Sequence, residues 1–92
     1  MLPAQLKHQV TSDGVHLNVY HANKGEGLVR HQHSYSHMTM CHAGSIIVRK
    51  EGKELVMTKD TQPVNLVANE WHEIEALEDD TVFVNMFTEG KY

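Results

Sequence analysis

Arg30-His31-Gln32-His33-Ser34-Tyr35-Ser36-His37 is the stretch on which the reading of this chain turns. In an extended strand alternate side chains share a face. His31 and His33 therefore point the same way, their Cα atoms roughly 6.6 Å apart. Two imidazoles at that separation can converge on one metal through bonds of about 2.0–2.1 Å. His37 has the same parity but would lie roughly 13 Å beyond His33 on a straight strand. It reaches the same ion only if the chain bends at Ser34-Tyr35-Ser36, where two small polar residues favour a turn. His72 follows 35 residues after His37. The preceding Ala68-Asn69-Glu70-Trp71 contains an asparagine, which tolerates left-handed backbone, so a tight turn there would aim His72 inward.

Outward from this stretch the patterning is β throughout. Val15-His16-Leu17-Asn18-Val19-Tyr20 alternates with period two, and Ser45-Ile46-Ile47-Val48 does so less cleanly. Thr81-Val82-Phe83-Val84-Asn85-Met86-Phe87 is rich in branched and aromatic residues. Turn signals separate the runs: Ser12-Asp13-Gly14, Asn23 to Gly27, Ala43-Gly44, Lys50 to Lys53, Gln62-Pro63, Asn69-Glu70 and Glu78 to Asp80. No helical stripe persists over three turns. Short strands at this spacing predict an all-β sandwich or barrel, and 92 residues fit a single domain over 1–92. Residues 1–12 could pair as an edge strand or dock on a neighbouring subunit.

Composition narrows the function classes. The formal net charge is −4, and the Lys and Arg residues are scattered, which argues against nucleic acid as a partner. The single cysteine, Cys41, excludes an internal disulfide and suits a reducing compartment. No apolar run approaches the roughly 20 residues of a membrane helix, and no stretch has the layout of a secretory signal. The expectation is a soluble cytoplasmic protein with no membrane partner. A chain this short buries only roughly 60–65 % of its unfolded surface, so a metal, a closed barrel or a second subunit would add needed stability. Eight histidines are the compositional outlier; of these His8, His16, His21 and His42 read as ordinary surface residues.

The spacings resemble those of the cupins, small β-barrels with a metal in the barrel. Their first motif runs G-x5-H-x-H-x3-E-x6-G. Here Gly25, His31, His33, His37 and Gly44 stand at those spacings, with His37 where the family usually has Glu. Their second motif runs P-x-G-x2-H-x3-N; Val67, Asn69, His72 and Ala76 occupy its places, and only His72 matches in identity. The resemblance is to minimal cupins of bacterial and phage type that carry HxHx3H. It implies a double-stranded β-helix, or jelly-roll, barrel. It also implies ligand roles for His31, His33, His37 and His72 on one divalent metal, with a coordination position left for water or substrate.

Four neutral imidazoles leave the charge of such an ion uncompensated, so the expected small-molecule ligand is anionic. Imidazole suits iron, zinc and nickel, and the sequence does not choose among them. Three functions stay open: an enzyme of oxygenase, isomerase or decarboxylase type on a small organic acid or carbonyl compound, a non-catalytic metal or ligand-binding module, and a barrel stapled by its metal. Parity places Tyr35, Thr39, Cys41, Ile74, Ala76 and either Asn85 or Met86 toward the interior, and Glu73, Glu75 and Trp71 away from it. Both faces of residues 81–87 are largely apolar, so the outer one should meet a second subunit, giving a homodimer.

Overall fold

Period-two alternation becomes strand wherever the sequence carries it. The computed structural model describes residues 1–88 and contains no helix among them. The strands are β1 (Leu2–Pro3), β2 (Gln5–Ser12), β3 (Val15–Ala22), β4 (Glu26–His31), β5 (His37–Ala43), β6 (Ser45–Lys50), β7 (Lys53–Thr58), β8 (Val64–Leu66), β9 (His72–Ala76) and β10 (Thr81–Thr88). They form two five-stranded sheets, ordered β1-β4-β9-β6-β7 and β2-β3-β10-β5-β8. The β2–β3 and β6–β7 pairs are antiparallel hairpins, whereas β4–β9, β3–β10 and β6–β9 join strands far apart in sequence. This is jelly-roll connectivity. The N-terminal residues do pair as edge strands: β1 runs parallel to β4 and β2 antiparallel to β3.

The inward faces of the two sheets meet in one apolar core. Ile46, Val48, Met57, Leu66, Ile74, Ala76 and Phe83 are fully or almost fully buried, and Tyr20 stacks on Phe83 with ring centroids 5.1 Å apart. Along β9, His72, Ile74 and Ala76 turn inward and alternate with half-exposed Glu73 and Glu75. The two glutamates flank Arg49 on the outside, at 3.6 and 2.8 Å. On β10 the interior position is Asn85, not Met86. A polar residue there keeps the parity of Phe83, so the alternation is unbroken.

Two glycines allow the close approaches that shape the barrel. A Cβ on Gly27 would overlap the Ile74 carbonyl oxygen, so only glycine lets β4 lie this close to β9. Beyond it, an irregularity between Leu28 and His31 shifts the pairing by one residue, and in the shifted register His31 faces His72. Gly44 turns from β5 into β6 with φ 73° and lies against Thr81, whose side chain a Cβ would overlap. Among the described residues, no helix is long and apolar enough to cross a membrane.

Candidate metal centre

Strand β4 ends at His31 and β5 begins at His37, and the residues between them bend. The bend is held by the turn before β9. The Asn69 N–H donates to the His33 carbonyl at 2.7 Å, and the Ala68 N–H donates to Ser36 Oγ at 3.0 Å. Asn69 itself has φ 62°, the left-handed conformation that asparagine adopts more readily than other non-glycine residues. Both conditions on the histidine set are thus met by one structure. The bend that returns His37 and the turn that aims His72 are hydrogen-bonded to each other.

The four rings are gathered at the mouth end of the barrel. Ring centroids are 4.4 Å apart for His31–His72, 5.0 Å for His33–His72 and 5.4 Å for His31–His33. His37 lies 4.9 Å from His33 and 5.2 Å from His72. The ligand atoms of His31, His33 and His72 all fall within 4.8 Å of one another. Nitrogens bound to one tetrahedral metal at about 2.1 Å stand about 3.4 Å apart. The widest pair of the trio would therefore close by up to about 1.4 Å around an ion. His37 adjoins this trio rather than belonging to it.

Backbone carbonyls orient three of the rings. The Nδ1–H groups of His31, His33 and His72 donate to the carbonyls of Val29 (2.6 Å), Tyr35 (2.7 Å) and Glu70 (3.0 Å). A ring whose Nδ1 carries the donated proton has its lone pair on Nε2, the usual preparation of a histidine ligand. Nε2 of His72 and of His37 is buried without any hydrogen-bond partner. A buried polar atom left unpaired costs about 1–3 kcal/mol, so two together in one cluster call for a bound species. The trio fits a divalent transition metal: three imidazoles, each with Nδ1 engaged and Nε2 left to offer.

Burial favours the neutral form of two of these rings, His37 and His72. Burial, with the neighbouring His33, His72 and His31 adding to it, lowers the His37 pKa from 6.5 to about 4. Burial likewise lowers His72, against an opposing pull from its bond to the Glu70 carbonyl. Unprotonated imidazole is the form that binds a metal. The nearest carboxylate on the His72 segment, Glu70, is turned to Lys50 at 3.5 Å, and Glu73 and Glu75 are occupied by Arg49.

A cavity of about 310 Å³ opens beside the cluster, lined by His31, His33, His37, Leu28, Phe87 and Asn85 among others. Tyr35 stacks on His33 at 4.1 Å and stands 5.1 Å from Phe87, partly covering the mouth. Thr39 and Cys41 face the interior as their parity predicts. Trp71 is exposed and lies against Arg30, whose guanidinium is 5.5 Å from the ring centre. Of the remaining histidines, His8, His21 and His42 are exposed, but His16 is half-buried and stacks on Phe87 at 5.0 Å. The surface expectation for His16 fails because its register partner is the inward-facing Phe87; alternation within Val15 to Tyr20 already carried that signal. The orienting carbonyls of Val29, Tyr35 and Glu70 had no side-chain signal to find.

No protein-family model and no curated protein matches this sequence. Solved structures match its fold closely. A cupin domain from Bordetella pertussis superposes with a TM-score of 0.71 at 15 % identity, over 97 % of this chain and 96 % of the other. A cupin 2 domain-containing protein from Halorhodospira halophila gives 0.80 at 15 % identity, over 94 % and 64 %. The fold is the cupin barrel. KdgF from a Halomonas species gives 0.79 at 18 % identity, over 88 % of this chain and 74 % of its own. At these identities the likeness carries the fold and leaves the chemistry to the site.

Proposed function

We propose that this cupin holds one divalent transition metal (iron, zinc or nickel) through His31, His33, His37 and His72, and acts on a small organic acid or carbonyl compound. The observation that carries this reading is the orientation of the rings. Three imidazoles are tied back through Nδ1, and two buried Nε2 atoms have no other partner. A metal bound there supplies Lewis acidity to an oxygen ligand. Around it, Leu28 and Phe87 give the ligand apolar walls, and Tyr35 limits the access of water. The neutral ligand set and the absence, among the described residues, of a carboxylate turned toward the cluster favour an anionic substrate head. The cavity beside the cluster favours an open site over a closed structural one.

The test uses protein purified without a nickel resin. Its metal content is measured, and the chelated protein is then reloaded with iron(II), zinc or nickel. Each form is offered small 2-oxo acids and 1,3-diketones, with oxygen consumption and proton NMR as readouts. Turnover by one metal form, lost on chelation, is the expected result. Metal binding with no change in any compound would leave a binding module. A melting temperature that chelation does not move would remove the staple reading.

We also propose a homodimer through the outer face of the β2-β3-β10-β5-β8 sheet. Val10, Val15 and Met38 are exposed there, beside half-buried Leu17, Val19, Met40, Val82, Val84 and Met86. A contiguous apolar face of this kind is unusual on a monomer, and a second copy of the same face is its simplest complement.

A further inference from the structure

The sheet that carries His37 and faces His31, His33 and His72 has a row of polar side chains in register. Thr39 on β5 stands beside Asn85 on β10, Asn85 beside Asn18 on β3, and Asn18 beside Gln9 on β2. The next row inward is Cys41, Phe83 and Tyr20, and the row toward the mouth holds Phe87 and His16. Amides in the middle of an otherwise apolar barrel wall cost free energy unless each polar atom finds a partner. Thr39 Oγ donates to Asn85 Oδ1 at 2.8 Å, and Gln9 Nε2 donates to Asn18 Oδ1 at 3.4 Å. The Asn85 amide oxygen is thereby turned to Thr39, and no partner among the described residues is seen for its –NH2 group, which is its donor for a ligand. Asn85 is 7 % exposed, and that exposure is to the cavity it lines.

We infer that Asn85 is the specificity-determining residue of this cavity. Its carboxamide –NH2 binds a neutral carbonyl or amide oxygen at the far end of a short organic anion whose oxygen-bearing head lies at the histidines. The inference rests on the proposed metal site and adds the class of ligand. Two features set that class. Among the described residues no Lys, Arg, Asp or Glu side chain lines the cavity, so no described side chain there carries a charge to compensate a second one, and a neutral acceptor fits the amide donor. The distance is short: Thr39, the partner of Asn85, is two residues along β5 from His37, roughly 6.6–6.8 Å. A cavity of about 310 Å³ accepts on the order of ten non-hydrogen atoms at about 30 Å³ each.

The experiment uses cobalt(II)-loaded protein and two monoanions that differ at one position. These are 4-oxopentanoate, with a carbonyl at the far end, and 4-methylpentanoate, its branched hydrocarbon counterpart. Binding is read from the cobalt visible spectrum. Wild type should prefer 4-oxopentanoate by about tenfold, the worth of one well-made hydrogen bond. Asn85→Asp keeps the acceptor for Thr39 and loses the donor; Asn85→Leu loses both without adding charge. In each variant the ligand-free cobalt spectrum should match wild type while the preference falls to near one. Equal binding of the two anions by wild type, no response to either, or a preference that survives both substitutions would overturn the assignment of Asn85 while leaving the metal site standing. A protein with no cobalt spectrum at all would overturn the metal reading and this inference with it.

Discussion

Acidifying the metal-free protein should destabilise it through one buried ring. His37 has a pKa near 4 in the folded chain, against 6.5 as its ordinary value, with burial the main cause and the other three histidines adding to it. Its folded pKa is depressed, so between pH 6.5 and 4 the unfolded chain takes up a proton that the folded chain does not. Stability is therefore complete above pH 6.5 and is lost as pH falls toward 4. Between pH 7.5 and pH 5 the loss from this ring alone comes to about 2 kcal/mol, and depressed His72 contributes in the same direction. The assay is urea unfolding of chelator-treated protein at both pH values, for wild type and His37→Gln. The variant keeps a polar side chain of similar size and cannot titrate. Carboxylates titrate alike in the two proteins, so the difference between their pH slopes isolates the ring. Wild type should lose about 2 kcal/mol more than the variant over this range. Equal slopes would refute the burial of a neutral His37.

Three further outcomes follow from the backbone and the surface. Gly27→Ala should lower stability by more than about 2 kcal/mol, because its Cβ meets the Ile74 carbonyl oxygen; chemical denaturation checks this. Asn69→Ala should cost roughly 1–2 kcal/mol for its left-handed backbone and weaken zinc binding in a competition titration, whereas Asn69→Gly should preserve both. If the proposed dimer forms, wild type should sediment as a dimer, and Val84→Glu, at the centre of the outer apolar sheet face, should give a folded monomer at the same concentration by sedimentation velocity.

Much of the fold was legible because the strands needed only local rules. Alternation marked β3 and β10, and glycine turns separated the β5–β6 and β6–β7 pairs. The sidedness of Thr39, Cys41, Ile74 and Ala76 followed from parity alone, since the period of a strand is two. The histidine cluster was legible for a different reason: a ligand set must be spaced to reach one point. What parity could not supply was the distance between segments remote in sequence. That His33 and Asn69 share a hydrogen bond, and that Asn18, Asn85 and Thr39 form one row, depends on which strands are neighbours in the sheet. His16 was misplaced because its own alternation was read without its partner Phe87. The carbonyls that orient the rings are backbone atoms, which every residue has and which no sequence distinguishes.

The central claim is that four histidines converge on one metal. X-ray absorption at the zinc edge, on protein purified without an affinity resin, chelated and reloaded with one equivalent of zinc, tests it most directly. Four nitrogen ligands of imidazole type at about 2.0–2.1 Å with bound zinc near one per chain are expected, falling to three in His37→Gln. Three or fewer imidazoles in wild type, or zinc that washes away, would contradict the account.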